Sequence, residues 1–197
     1  MHYVSQSATK SRGDTSRRIS SCAQALADDR GLDGFTMDDL AEAAGVSRRT
    51  LFNYFSGKVD AVLGEWRPLD EADVARFRDG GPHGDLVADL RALLAPFIEA
   101  KFADRDELAR SRRILLANPR LISTVHQRYE ELCAVVVEQI VAREGVAFGA
   151  GRAKVAISLL AALFDASLDG YLADPREREF SHHFDETLLI ARSLLGA

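Results

Sequence analysis

The chain has 197 residues, 47% of them hydrophobic, and a formal net charge of −5 at pH 7, which allows one sizeable core or a small domain joined to a larger one. The mild negative charge excludes a protein that coats nucleic acid through bulk positive charge, so nucleic-acid binding would require a local basic face. No segment reaches the roughly 18 uninterrupted apolar residues of a membrane span and the N-terminus lacks a signal-peptide core, so we expect a soluble, cytoplasmic protein with no membrane partner.

The first predicted helix covers residues 16–30 and ends at the breaker Gly31. One face of it is apolar at helical spacing and would pack inward, with Ile19, Cys22, Ala23, Leu26 and Ala27. Basic residues ahead of and within the helix supply a local positive face: Lys10, Arg12, Arg17 and Arg18. We expect Arg17 and Arg18 to approach phosphate. Cys22 and Cys133 are isolated on apolar stripes, which favours two reduced core thiols over a disulfide.

Residues 36–58, TMDDLAEAAGVSRRTLFNYFSGK, hold two helical patterns separated by a glycine-centred turn. Thr36 can cap the first helix, with Asp39 as the acid of a capping box. Gly45 stands where the chain must leave that helix with positive φ, and Ser47 can cap the second helix. This layout predicts a helix-turn-helix, which presents a short helix to the major groove of DNA.

The second helix of this hairpin has an inner and an outer face. Leu51, Phe52 and Phe55 are predicted to turn back onto the first helix, which leaves outside Arg48, Arg49, Thr50, Asn53 and Tyr54. Arginine can donate two hydrogen bonds to a guanine edge and a threonine methyl can contact thymine, whereas Tyr54 and Lys58 would meet phosphate. The alternative is an ordinary helical hairpin with a solvated arginine pair. The glycine turn, both caps and the aromatic inner face together favour DNA binding.

The same region resembles the DNA-binding domain of the TetR family of bacterial transcriptional regulators. The resemblance spans residues 16–66 and rests on GFTMDDLAEAAGVS, LFNYFSGK and VDAVLGEW, with Ile19, Ala23 and Leu26 in the leading helix. It implies phosphate contacts by Thr36, Tyr54 and Lys58, and base contacts by Ser47, Arg48, Arg49, Thr50 and Asn53. Phe52 departs from the tyrosine that the family more often carries, and Arg49 takes a place often held by a small residue, which would alter the preferred operator.

The rest of the chain is predicted to be helical. A fourth helix runs from Ser56 towards Trp66, the loop DGGPHG follows at 79–84, and Pro96 should kink a helix that begins at Asp85. Further helices are predicted over 105–117, 120–143, 152–173 and 179–195. Because no strand alternation competes with this pattern, we predict an all-α protein. Its domains would be a helix-turn-helix DNA-binding domain at 1–66 and a ligand-binding and dimerisation domain at 67–197.

Each of the last two predicted helices has a broad apolar face. A small core could absorb one such face, so two of them favour burial against a second copy of the chain, with purely intramolecular packing as the alternative. We predict a homodimer interface at Leu159, Leu163, Leu168, Phe180, Phe184 and Leu188. The TetR resemblance implies a four-helix interface at the same place, and two reading helices in one dimer would bind a palindromic operator.

The resemblance also implies a small-molecule pocket within residues 85–175, where an effector would bind and release DNA. The candidates for its lining are Phe97, Phe102, Arg112, Arg113, Leu116, His126, Tyr129, Phe164 and Asp165, although such residues at helical spacing also make up a plain core. The stretch RSRRILLANPRLISTVHQRYEEL resembles the C-terminal domain of TetR-like regulators that respond to fatty acyl-CoA, such as those of the mycofactocin system. Arginines near an apolar tunnel would suit such an effector.

The sequence has no GxSxG elbow, glycine-rich phosphate loop, CxxC or HExxH. His182, His183, Asp185 and Glu186 could be drawn as metal ligands, but the same residues are typical of a solvated helix start. We therefore predict no enzymatic activity, no cofactor and no metal. The expected function is a ligand-responsive DNA-binding regulator, specifically a repressor. A helical sensing or interaction module that does not bind an operator is the alternative, and an enzyme comes third.

Overall fold

The computed structural model describes the backbone of residues 3–66, 68–102, 105–174, 176 and 178–196, and the side chains from Arg12 onward except those at 97–102 and 195. These residues form ten α-helices and no strand, which confirms the all-α prediction. The helices are α1 (Tyr3–Arg30), α2 (Met37–Ala43), α3 (Arg48–Tyr54), α4 (Lys58–Leu63), α5 (Glu71–Arg78), α6 (Leu86–Phe102), α7 (Arg105–Ala117), α8 (Pro119–Glu144), α9 (Gly149–Ala173) and α10 (Phe180–Leu195).

Two differences from the predicted elements concern α1 and α5. Helix α1 begins at Tyr3, well before the predicted start. Helix α5 was not predicted, although its signals are present. Asp70 caps it by accepting hydrogen bonds from the amides of Ala72 and Asp73, at 2.9 and 3.3 Å, and Arg78 lies in its last turn, where a cation suits the helix dipole.

The chain forms two compact units. The first contains Met1–Arg67 together with Asp106–Arg128, and the second contains Pro68–Arg105 together with Tyr129–Ala197. One apolar cluster forms the core of the first unit, and Ile114 and Leu121 belong to it although they lie far along the chain from the other members: Ile19, Ala23, Ala27, Leu32, Phe35, Leu40, Ala41, Ala44, Leu51, Phe55, Ala61 and Val62. The segment 106–128 is therefore part of the same core that holds the helix-turn-helix.

Ion pairs between arginines and aspartates reinforce the first unit at its surface. Each joins an arginine of the segment 106–128 to an aspartate of the N-terminal helices or their loops: Arg113 to Asp28 at 3.0 Å, Arg120 to Asp33 at 3.1 Å, and Arg128 to Asp60 at 2.9 Å. Arg128 also donates to the carbonyl of Gly64 at 3.2 Å. The exposed pairs of Arg113 and Arg120 contribute on the order of 0–1 kcal/mol each, whereas the Arg128–Asp60 pair is more buried, at 18% and 32% exposure. The buried apolar contacts therefore supply most of the stabilisation of the segment.

The second unit contains a buried charge network. Asp89 is fully buried on α6, and its carboxylate accepts hydrogen bonds from Arg143 on α8 at 2.7 Å and from the amide of His83 at 2.6 Å. Arg143 also donates to the carbonyl of Phe77 at 3.2 Å, and its guanidinium lies 4.9 Å from the centroid of the Phe77 ring. Burial alone would raise the pKa of Asp89, but these hydrogen bonds outweigh burial and hold the pKa below its ordinary value. The network joins α5, α6, α8 and the 79–84 loop.

Removal of the Asp89 carboxylate should destabilise the protein strongly. Asp89→Ala removes the buried partner of Arg143 and leaves only Glu144, whose carboxylate lies 2.9 Å from Nε; loss of one member of a buried pair costs about 3–5 kcal/mol in comparable sites. Urea unfolding followed by circular dichroism measures this loss. Arg17→Ala is the matched control, because it breaks an ion pair whose side chains are 75% and 56% exposed, and it should change the unfolding free energy by less than about 1 kcal/mol. A loss below about 1 kcal/mol for Asp89→Ala would contradict the network's role.

Candidate nucleic-acid interface

The turn between α2 and α3 has the caps that the sequence predicts. The Thr36 hydroxyl accepts the amide of Asp39 at 3.1 Å, and the Asp39 carboxylate accepts the amide of Thr36 at 2.7 Å, so both halves of the capping box are present. The side-chain hydrogen bond from Thr36 lowers the pKa of Asp39. Gly45 has φ +62°, a conformation that glycine adopts without steric cost. Ser47 caps α3 by accepting the amide of Thr50 at 3.0 Å, which confirms that prediction as well.

The two faces of α3 are distinct. Leu51 and the cap residue Phe55 are buried in the core of the first unit, at 0% and 4% exposure. Ser47, Arg48, Arg49 and Asn53 are exposed. Phe52 was predicted to turn inward, and that prediction is wrong. Its side chain is 45% exposed, because Leu51 and Phe55 already fill the inner face and Phe52 follows Arg48 by one helical turn.

Arg48 has an intramolecular partner that the sequence analysis did not anticipate. Its guanidinium lies 3.0 Å from the Asp38 carboxylate on α2, with side chains 66% and 65% exposed, and 5.6 Å from the centroid of the Phe52 ring. An exposed pair of this kind holds the side chain by only about 0–1 kcal/mol, so a phosphate or a guanine edge can replace Asp38. Arg49 forms no ion pair among the described residues and stays on the outer face.

The predicted phosphate-binding residues surround this face. Thr36 is exposed, but its hydroxyl already takes part in the capping box. Tyr54 is half-buried and packs against the core of the first unit. Lys58 is also half-buried, and its Nζ donates to the carbonyl of Phe35 at 2.9 Å. One of the three ammonium donors is therefore used to tie the start of α4 to the loop before α2, and the others remain for a phosphate.

The two predicted arginines of α1 lie at the surface of the same unit. Arg17 and Arg18 are both exposed. Arg17 pairs with Asp14, one turn earlier on the same helix, at 2.6 Å. Arg17 therefore adds less net positive charge to this surface than the sequence analysis assumed.

The predicted effector-binding residues do not form one cluster within either unit. Arg112, Arg113, Leu116 and His126 belong to the first unit, and Tyr129, Phe164 and Asp165 belong to the second. Three of these placements argue against an interior lining: Leu116 is 67% exposed, Arg113 is paired with Asp28, and Asp165 is exposed. Burial raises the pKa of Tyr129 to about 12. The side chains of Phe97 and Phe102 lie outside the described residues.

The predicted dimer-interface residues divide into two groups. Phe180 and Phe184 are 9% and 3% exposed within the second unit itself, where Phe180 packs against Phe164 with centroids 5.1 Å apart. Phe184 lies beside Phe180, with ring centroids 6.4 Å apart, so both side chains are already buried within their own chain. Leu163, Leu168 and Leu188 are half-buried. Leu159 is 50% exposed, and other exposed apolar residues lie on α9 and α10: Val155, Leu189, Ile190 and Leu194.

By length and composition alone, the Gly149–Ala173 helix is apolar enough to cross a membrane. Its most apolar 18-residue stretch has a mean hydropathy of 1.5, and 22% of that stretch is buried within the protein. The helix carries Arg152, Lys154, Asp165 and Asp169, so its apolar run is interrupted. A single helix of this kind is weak evidence for a membrane span, because apolar helices of soluble proteins pass the same test.

The two adjacent histidines of α10 have different partners. His182 lies 3.1 Å from Glu186, while the buried His183 lies 3.1 Å from Asp174. Hydrogen bonds from the amide of Arg176 and from the Arg178 side chain hold the pKa of Asp174 well below its usual range. Within the described ranges, no group of three or more ligating side chains converges on a common point.

The segment that contains α2 and α3 matches a known protein family. Residues 19–62 match the sequence profile of the bacterial regulatory proteins of the tetR family. Over 138 residues the chain is 29% identical to a protein assigned as the mycofactocin biosynthesis transcriptional regulator MftR of Mycobacterium tuberculosis, and the match covers 68% of each chain. A solved structure of a SmeT–triclosan complex aligns with 90% of this chain and 91% of its own, at 22% identity and a TM-score of 0.48.

Substitutions at Arg49 and Lys58 should affect binding to DNA in different ways. Arg49→Ala should relax specificity at one base pair by roughly 1–3 kcal/mol, because it removes a donor to a base edge. Lys58→Ala should weaken binding to all sequences alike and lower the salt slope by about one for each Lys58 that touches the operator, because it removes a phosphate contact. Fluorescence anisotropy against a set of single-base operator variants, at several salt concentrations, measures both.

The control for this pair is Arg76→Ala, an exposed arginine of α5 in the second unit, which should leave both quantities unchanged. Thermal unfolding of Lys58→Ala separates a lost phosphate contact from the lost tie to Phe35. If Arg49→Ala and Lys58→Ala changed the affinities for the operator variants in the same way, the assignment of Arg49 to a base and of Lys58 to a phosphate would be wrong.

Proposed function

We propose that this chain, a TetR family regulator by the match of residues 19–62, is a repressor that binds a palindromic operator as a homodimer and leaves it when an effector binds. The observation that carries this proposal is the exposed outer face of α3, with Arg49 and Asn53 projecting from a helix whose other face is fully buried. The matched family consists of regulatory proteins, and the chain is not an enzyme.

The proposed division of DNA contacts follows from position on the unit. The N-terminal residues of a reading helix meet base edges, so we assign Ser47, Arg48, Arg49 and Thr50 to the bases. Asn53 is assigned to the bases with them because it is exposed one turn after Arg49. The residues around that helix meet the backbone and fix its register. We assign to phosphates Arg17, Arg18, Thr36, Tyr54 and Lys58. The domain that includes these residues is proposed to be 1–66, with 67–197 as the effector-binding and dimerisation domain.

The proposed homodimer is supported by the exposed apolar surface of α9 and α10. Leu159 and Val155 lie one turn apart on α9 and are 50% and 59% exposed, while Leu189, Ile190 and Leu194 on α10 are 60–80% exposed. Such a surface in contact with water is unfavourable at about 25 cal/mol per Å² of apolar area. Burial against a second copy also accounts for the hydropathy of α9 without a membrane span, which agrees with the proposed cytoplasmic location.

The proposed effector is a small apolar or acyl-type molecule. One relative is described as a regulator of mycofactocin biosynthesis, and the sequence between Arg110 and Leu132 has the arginines and apolar residues that an acyl-CoA would need. Release of DNA would be a population shift: the effector must prefer the arrangement of the dimer in which the two reading helices no longer fit successive grooves.

Selection of bound sequences from random DNA should return a palindrome whose half-sites lie about one helical turn or more apart. In analytical ultracentrifugation at micromolar concentration, Leu189→Glu should lower the mass from that of a dimer to that of a monomer. The variant should then bind a single half-site as well as it binds the whole palindrome. Val146→Glu is the control, because Val146 is also an exposed apolar residue, at 89%, but lies between α8 and α9. Failure to enrich any sequence would favour a sensing module without operator binding, and a monomeric native protein would overturn the dimer.

Palmitoyl-CoA titrated into the protein–operator complex should dissociate it at micromolar concentrations, whereas free CoA should not, because the apolar tail supplies most of the binding free energy. The change in fluorescence anisotropy of the labelled operator measures this release. Unchanged anisotropy up to the solubility limit of palmitoyl-CoA would eliminate the acyl-CoA proposal and leave operator binding untouched.

A further inference from the structure

Arg12 lies against the reading helix, although it precedes the residues that match the family. Its guanidinium carbon is 5.5 Å from the centroid of the Tyr54 ring, and Tyr54 is the last residue of α3. A contact at this distance is a cation–π contact. The matched segment begins only at residue 19, so Arg12 belongs to an N-terminal extension of α1 that reaches past the core to the end of α3.

The helical register explains how Arg12 comes to this position. Arg12, Ser16, Ile19 and Ala23 follow one another at steps of four, three and four residues and so share one face of α1. Ser16, Ile19 and Ala23 are 2%, 0% and 0% exposed, whereas Arg12 is exposed. The face of α1 that packs into the core therefore continues to the surface. At the surface it carries Arg12, whose guanidinium lies against the ring of Tyr54.

The Arg12 guanidinium keeps its hydrogen-bond donors available. Within the part of the chain whose side chains are described, no carboxylate pairs with it, and the acid nearest in sequence, Asp14, is paired with Arg17 at 2.6 Å. A ring face accepts the cation without taking up its five N–H donors. Arg12 differs in this respect from Arg17 and Arg48, whose guanidinium groups each have an acidic partner.

We propose that Arg12, held by the ring of Tyr54, is an additional DNA-binding residue that contacts a backbone phosphate beside the C-terminal end of α3. The inference rests on the proposed operator binding. A phosphate is the target rather than a base, because base edges are met by the N-terminal residues of a reading helix, whereas Tyr54 is its last residue. A guanidinium suits a phosphate through two parallel hydrogen bonds, and the ring limits the conformations that the long side chain must give up on binding.

The ring and the hydroxyl of Tyr54 have separable roles in this arrangement. The hydroxyl can itself donate to a phosphate, as predicted from the sequence, while the ring positions Arg12. Tyr54→Phe removes the hydroxyl alone and keeps the cation–π contact. Tyr54→Leu removes both, so the contribution of Arg12 should depend on the ring but not on the hydroxyl.

The test measures affinity for the operator selected from random DNA, over a series of salt concentrations and single-base variants. Arg12→Ala should weaken every sequence roughly tenfold and lower the salt slope by about one for each Arg12 that touches the operator. In the Tyr54→Phe background, Arg12→Ala should reduce the affinity by the same factor. In the Tyr54→Leu background, it should reduce the affinity by less than about threefold. Arg30→Ala is the matched control: it is an exposed arginine on the same helix, 18 residues or about 27 Å away, and should bind as the native chain does.

Circular dichroism of every variant confirms that α1 and the core are intact. Native affinity and salt slope in Arg12→Ala would overturn the proposal. A change of preference at one base pair would overturn the assignment to phosphate, and an equal cost of Arg12→Ala in the Tyr54→Phe and Tyr54→Leu backgrounds would overturn the role of the ring. If the native chain enriches no DNA at all, both the proposed operator binding and the role of Arg12 are wrong. If the native chain binds DNA and Arg12→Ala binds it equally well, only the role of Arg12 is wrong.

Discussion

The reversal of the chain between Ala44 and Ser47 is the constraint on which the rest of the account depends. In that short stretch α2 must end, the chain must turn and α3 must begin, and a glycine at φ +62° followed by a serine cap accomplishes this. The amide of Val46 donates to the carbonyl of Ala41 at 3.0 Å and closes the turn. Because Leu51 and Phe55 are anchored in the core, the direction of every outer side chain of α3 follows from that turn.

The two units are stabilised by different kinds of polar contact. The Arg113–Asp28 and Arg120–Asp33 pairs of the first unit are largely exposed, so they are weak. The Asp89–Arg143 pair of the second unit is buried at 0% and 6% side-chain exposure, so it cannot be exchanged without a large cost. Helix α8 contributes to both units: Leu121 lies in the core of the first, while Val136 and Ile140 are buried in the second.

Local signals allowed much of this structure to be predicted from the sequence. The caps at Thr36 and Ser47 and most helix bounds after residue 85 depend on neighbours within one turn, and their prediction was accurate. The predicted orientation of a side chain was wrong where several apolar residues compete for one buried face of a helix. Phe52 is exposed because Leu51 and Phe55 occupy the inner face of α3. The apolar pattern alone did not show that Phe180 and Phe184 are buried within their own chain, where Phe180 packs against Phe164 of α9. Periodicity also could not show that Arg12 would meet the Tyr54 ring, because that contact joins residues 42 positions apart.

Amide hydrogen exchange of the native chain, with and without its selected operator, tests the central claim most directly. The account predicts that operator slows exchange in peptides covering 46–58 and in the first turns of α1, while peptides from α5 and from the 79–84 loop keep their rates. Protection confined to the second unit, with unchanged exchange across α3, would show that the outer face of α3 is not the surface that meets DNA.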